Sequence, residues 1–211
     1  MNNQHTPLLA DQFYHVFSRA VGSEKLFISN ENYLYFLRKM KHHILPVADV
    51  FAYSLLPNHF HLLVRIKQME TLNAYFENRK SKPFNELVND MPDFVMEQFS
   101  NWLNGYTKAF NKMYNRKGGL FIDYLKRSEA LTDTDITSFI FYIHKNAVHH
   151  GLSKQIGEWS YDSYPLILSE KPTSLLRDEI IVWFGSKKWF IDFHQQNIDC
   201  LLYTSPSPRD S

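Results

Sequence analysis

The chain predicts an α+β fold, an antiparallel sheet with helices packed against it. Three observations carry that prediction. Strand-like and helix-like apolar periods follow one another as strand, helix, strand pair, helix, strand, helix. The strand pair, "VFAYSLL" (50–56) and "HFHLLVRIK" (59–67), is separated by Pro57 and Asn58 alone, the length and chemistry of a tight hairpin. Of the 211 residues, 44% are hydrophobic, enough for one well-buried core with a small appendage but not for two full domains.

Each element has its own signal. "DQFYHVFSRAV" (11–21) reads as the first strand. A helix runs from about Asn30 to Ile44, where Tyr33, Phe36, Leu37, Met40 and Ile44 recur at helical spacing and Pro46 stops it. Residues 68–92 are polar and contain Pro83 and Pro92, so they read as an irregular insertion or loop. From about Asp93 to Asn115 a second helix carries Val95, Phe99, Leu103, Tyr106, Phe110 and Met113 on one stripe, and "RKGG" (116–119) ends it. "LFIDYLKRSEAL" (120–131) reads as a further strand. A third helix starts at a cap near Asp133 or Asp135, buries Ile136, Ile140, Ile143 and Ala147, and stops at Gly151. "EWSYDSYPLIL" (158–168) is aromatic and loop-like. Residues 174–185 and 189–196 form short helices. The expected organisation is a main domain over 1–168, a helical appendage over 169–198, and a tail over 199–211 whose composition resembles a vector or adaptor scar.

Composition narrows the function classes. Cys200 is the one cysteine, which excludes an intramolecular disulfide and a cysteine-based zinc cluster. No run approaches eighteen apolar residues and the first residues lack a secretion pattern, so a cytoplasmic protein with no membrane contact is expected. The net charge of +1 does not announce a nucleic-acid binder. Its distribution says more: Lys108, Lys112, Arg116, Lys117, Lys126 and Arg127 face a single acid, Asp123, and are interleaved with Tyr106, Phe110, Tyr114, Phe121 and Tyr124. Cations neutralise phosphates and exposed rings stack unpaired bases, so the stretch suits single-stranded nucleic acid. The same residues also describe a solvated helix face running into a hairpin.

The chemistry-bearing pattern is "PNHFHLLVRI" (57–66). Alternation puts His59, His61, Leu63 and Arg65 on one strand face and Phe60, Leu62, Val64 and Ile66 on the other. Two imidazoles at i and i+2 sit close enough to grip one ion, although half-buried histidines satisfied by backbone groups look the same in sequence. In "YIHKNAVHHG" (142–151), Tyr142 and Asn146 are four apart and share a helix face separate from the apolar stripe. A phenol and an amide presented to that strand would supply a nucleophile and a third ligand. His144, His149 and His150 read as a solvated helix end.

"YSLLPNHFHLLV" followed by "YIHKNAVHHG" resembles the HUH single-tyrosine transposases, with Phe60 as the bulky apolar residue between the histidines, and specifically their REP-associated tyrosine transposase branch. "FYHVFSRAV", "YTKAFNKMYNRKGGLF" and "EWSYDSY" extend the resemblance over about residues 12–196, with departures at Lys145 and at Ala147, where such proteins often carry proline. It implies a ferredoxin-like antiparallel sheet with helices on one face and a tyrosine-bearing helix at a metal site. It implies His59, His61 and Asn146 as ligands of Mg2+ or Mn2+, Tyr142 as nucleophile, and cleavage and rejoining of single-stranded DNA through a 5′-phosphotyrosine, at hairpin-containing repeats, by a monomer or homodimer. The basic stretch would hold single-stranded or hairpin DNA, with His15, Arg19 and Arg65 as further contacts. Two alternatives stand beside it. One is a catalytically silent hairpin-DNA binder; the other is an HUH replication or conjugation initiator nickase, which is usually a longer protein. A nucleotide hydrolase with alternating histidines would need a third at position 63, where Leu63 stands.

Overall fold

The computed structural model describes residues 6–86, 89–122 and 125–195. Its sheet has four antiparallel strands, β1 (Phe13–Arg19), β2 (Ala48–Leu56), β3 (His59–Ile66) and β4 (Lys126–Ala130), in the order β2-β3-β1-β4. With α1 (Asn30–His43) between β1 and β2, and α2 (Met69–Lys80) and α3 (Met91–Met113) between β3 and β4, this is the α+β fold the sequence predicts, in the ferredoxin-like arrangement that the family resemblance implied. The hairpin turns at Pro57 and Asn58 as expected, pairing Leu56 with His59 and Ser54 with His61. A bulge between Val50 and Ala52 absorbs one residue of β2, which lets both ends of the hairpin keep their faces.

Alternation along β1 and β3 divides the core into two layers. Phe60 packs under α1 and α3, its ring 5.1 Å from Phe36 and 5.2 Å from Trp102, and the Trp102 indole N–H donates to the Phe36 carbonyl at 3.1 Å. The opposite face, carrying Phe13, His15, Phe17, His61 and Arg65, is covered by α4 (Asp133–His149) and α6 (Arg177–Phe184), with α7 (Lys187–Gln195) packed on those two helices and short α5 (Tyr164–Leu168) between α4 and α6 in the chain. Trp183 of α6 seats on Phe13 and Phe51, and Arg65 bridges Glu179 and Asp49. The C-terminal helices therefore finish the main core, with Ile180 and Phe190 fully buried in it. No helix among the described residues is long and apolar enough to cross a membrane.

Several element boundaries differ from the sequence expectation. Within 68–92, taken as irregular, α2 forms, because Leu72 and Phe76 lie one turn apart and bury against α3, the latter ring 4.9 Å from Phe94. Two apolar anchors in twelve residues leave no visible stripe. Helix α3 begins two residues early, capped by Asp90, since Pro92 is tolerated in a first turn where its missing N–H has no partner to lose. It ends at Met113, with Asn115 taking a left-handed φ of 49°. The cap of α4 is Thr132, whose hydroxyl accepts from the Asp135 N–H while the Asp135 carboxylate accepts from the Thr132 N–H. Residues 196–211, which include the tail, lie outside the described residues, as do Asp123 and Tyr124.

Candidate active site

The centre of the α4-facing sheet surface is a row of imidazoles. Cross-strand register places His61 opposite Phe17 and His59 opposite Arg19, so His15 is the diagonal neighbour of His61. His15 Nε2 and His61 Nδ1 lie 2.9 Å apart, and His59 Nδ1 meets the Asn58 side-chain oxygen at 2.7 Å. His61 is 2% exposed. Burial holds its imidazole well below the ordinary histidine value, and the neighbouring His15, His59 and His150 add to that depression. Burial alone lowers His15 to about 3. Both rings are therefore neutral at physiological pH, the state in which imidazole offers a lone pair to a cation.

Helix α4 brings Tyr142 edge-on to this row. Its ring centre is 5.5 Å from that of His61 and 5.6 Å from that of His15. Asn146, one turn later, is 2% exposed, and its amide nitrogen donates to the Tyr142 carbonyl at 2.8 Å. That bond commits the nitrogen and leaves the amide oxygen as the atom of Asn146 suited to a cation. Tyr142 and Asn146 thus lie one turn apart on α4, Tyr142 half-buried and Asn146 buried rather than presented on an open surface.

The donor chemistry fits a divalent ion. With metal–nitrogen distances of about 2.1 Å, an imidazole centre lies roughly 3.2 Å from its ion, so two ligands at angles of about 90–110° have centres about 4.6–5.3 Å apart. The His59 and His61 centres are 5.2 Å apart. Both engage neighbours through Nδ1, so Nε2 is the atom each could offer to a cation. Among the described residues no group of three or more His, Cys, Asp or Glu side chains is gathered to hold a metal.

Behind Tyr142, α4 is fixed by a buried polar chain that sequence reading missed. His144, expected on a solvated helix end, is 1% exposed. The His194 Nδ1–H donates to the Phe190 carbonyl at 2.7 Å, so His194 Nε2 accepts from His144 Nδ1 at 2.9 Å. His144 Nε2 then accepts from the Ser163 hydroxyl at 2.8 Å, and that hydroxyl accepts from the Tyr53 N–H at 2.9 Å. The chain ties β2, the loop before α5, α4 and α7 together. Burial depresses both histidines, His194 to about 4, and raises the carboxyl of adjacent Asp162 well above its usual range. At the other end of α4, His149 and His150 are exposed, as expected, yet the His150 ring approaches His59 to 4.7 Å.

The basic residues divide into three groups. Arg19 and Lys126 are half-buried on the imidazole face, paired in register with His59 and Phe17. Lys108, Lys112 and Lys117 are exposed on and after α3, which packs on the Phe60 face of the sheet, opposite α4. Two expectations are corrected. Arg116 is a clasp: its guanidinium pairs with both oxygens of Glu24 and donates to the Gly118 and Gly119 carbonyls. Arg127 is 8% exposed, pointing away from the imidazole face to donate to the Thr6 carbonyl and to Met96 Sδ, because β4 alternation gives the site face to Lys126 and Ser128. Of the three further contacts suggested, His15 is buried and Arg65 is held by two carboxylates.

Among solved structures, the chain is similar to a REP-associated tyrosine transposase bound to a REP hairpin, with a TM-score of 0.59 and 12% sequence identity, over 82% of this chain and 89% of that one. The likeness is one of fold. No family model and no curated protein matches the chain.

Proposed function

We propose that the protein is a hairpin-DNA-binding transposase that cleaves and rejoins single-stranded DNA, with Tyr142 as nucleophile and His59, His61 and Asn146 holding Mg2+ or Mn2+. The observation that carries this reading is the meeting of Tyr142 with His61 across the sheet–α4 interface, 5.5 Å between ring centres. The fold shared with a hairpin-bound tyrosine transposase supports the choice of DNA as substrate. A bound divalent ion would polarise a phosphate oxygen and stabilise the charge that develops there. The chain's own residues do the rest. The α4 backbone, anchored through His144, aims the phenol; imidazoles, which ligate in their neutral form, and an uncharged amide would leave a bound cation its full charge; Arg19 and Lys126 hold the strand by its phosphates. Tyr142 Oη forms a bond to phosphorus as the bond from phosphorus to the 3′ oxygen breaks. The phenol proton is lost and the departing oxygen takes one up, leaving a 5′-phosphotyrosine and a 3′ hydroxyl. Because the phosphodiester is exchanged rather than hydrolysed, a 3′ hydroxyl reverses the step without ATP.

A denaturing gel with labelled single-stranded DNA carrying a hairpin tests this directly. Wild type with Mn2+ is expected to give a covalently shifted band that Tyr142→Phe abolishes and EDTA prevents, while DNA binding survives both. The second reading, a catalytically silent hairpin binder, is favoured by the lack of a three-residue His, Cys, Asp or Glu cage among the described residues. It predicts binding with no covalent band under any condition.

A further inference from the structure

We infer that His15 is a positioning residue for the metal centre: it accepts a hydrogen bond from His61 Nδ1–H and thereby fixes the tautomer that turns the His61 Nε2 lone pair toward the ion. This rests on the proposed metal site and adds to it a residue that contacts neither metal nor DNA.

The ring geometry is that of a hydrogen bond rather than a stack. Ring nitrogens lie about 1.15 Å from an imidazole centre, so a linear in-plane bond of this length puts two centres about 5.2 Å apart with the rings nearly coplanar. The His15 and His61 centres are 5.1 Å apart with planes inclined by 15°. A proton between two nitrogens 2.9 Å apart belongs to one of them. If His15 donated, neutral His61 would carry its own proton on Nε2, and no lone pair would face a cation. Donation from His61 is the one arrangement that leaves Nε2 able to ligate, and ligating histidines ordinarily donate their other ring N–H in this way. His15 has little freedom to turn: Phe17 stacks on it at 5.0 Å, Phe139 of α4 lies 4.9 Å away, and Tyr142 meets its edge. The same α4 residues thus clamp the acceptor and deliver the phenol, which couples the aim of His61 to the seating of the helix.

The test is titration of metal-stripped protein with Mn2+ alone, reading free Mn2+ by its EPR signal, on wild type, His59→Ala, His15→Phe and His15→Gln. Phe fills the space without an acceptor, and Gln restores an acceptor oxygen. Wild type should bind and His59→Ala should not. His15→Phe should weaken Mn2+ by about 10- to 100-fold, and His15→Gln should recover most of the loss. Wild-type affinity in His15→Phe overturns the role of His15 while leaving the metal site standing. No Mn2+ binding by wild type overturns the metal site itself. Should His15→Phe not fold, histidine-selective 15N spectra of the wild type decide. The Nδ1–H tautomer at His61 supports the inference, and the Nε2–H tautomer refutes it.

Discussion

Acid should unfold this protein from the inside, and the size of the effect follows from its buried imidazoles. His15, His61, His144 and His194 all have folded-state values below the ordinary one, His15 at about 3 and His194 at about 4, with burial the largest cause in each. An unfolded chain protonates histidine near pH 6.5, so below that pH the unfolded state binds protons that the fold refuses. Stability is complete above pH 6.5 and is lost as the pH falls toward the folded values. One such group costs about 1.4 kcal/mol per pH unit, so His15 and His194 alone remove about 4 kcal/mol by pH 5. His61 and His144 act in the same direction. Asp162 acts oppositely, since its raised value lets the folded state keep a proton that the unfolded state has lost, and this offsets at most one histidine over the same window. Against a total stability of about 5–15 kcal/mol, the net loss is enough to move the urea midpoint far down by pH 5. Urea titrations followed by circular dichroism, at pH values between about 7.5 and 5, measure it. His194→Gln should be less stable than wild type at neutral pH yet show a shallower decline, by about 1.4 kcal/mol per pH unit. A midpoint that stays constant from neutral pH to pH 5, or a variant with the wild-type slope, would refute the assignment of these rings as neutral in the fold.

Asn146→Ala should lose both Mn2+ binding and cleavage. Asn146→Asp should keep the metal but cleave more slowly at saturating Mn2+, because a carboxylate lowers the cation's effective charge and cannot donate to the Tyr142 carbonyl. If the alanine variant binds and cuts like wild type, His150 beside His59 becomes the next ligand to test. Arg19→Ala and Lys126→Ala should each weaken DNA across sequences and reduce the slope of log affinity against log salt by about 0.7 on single strands, whereas Arg127→Met should leave that slope unchanged. The Arg127 variant should instead destabilise the fold by about 1–3 kcal/mol, since it removes the donors to Thr6 and Met96 from a buried site. Equal salt slopes for Lys126→Ala and wild type would take β4 out of the DNA contact.

What could be read in the sequence is what local periodicity encodes. Two residues between β2 and β3 force a hairpin, and parity along β3 then sends Phe60 to one layer and His59 and His61 to the other. A four-residue spacing likewise stacks Tyr142 and Asn146 without knowledge of the rest of the chain. The same reasoning applied to β4 would have separated Lys126 from Arg127; grouping both as one basic run ignored that neighbours on a strand face opposite ways. The proximity of His144 to the Ile140 and Ile143 stripe was a signal that it is buried, but its meaning depends on His194, fifty residues away on α7. His15 is the clearest case. In the sequence it is one more histidine on a strand, and only the β1–β3 register, set by the fit of whole apolar faces, makes it the diagonal neighbour of His61. Tertiary register, rather than any motif, therefore decides which of the chain's histidines can act together.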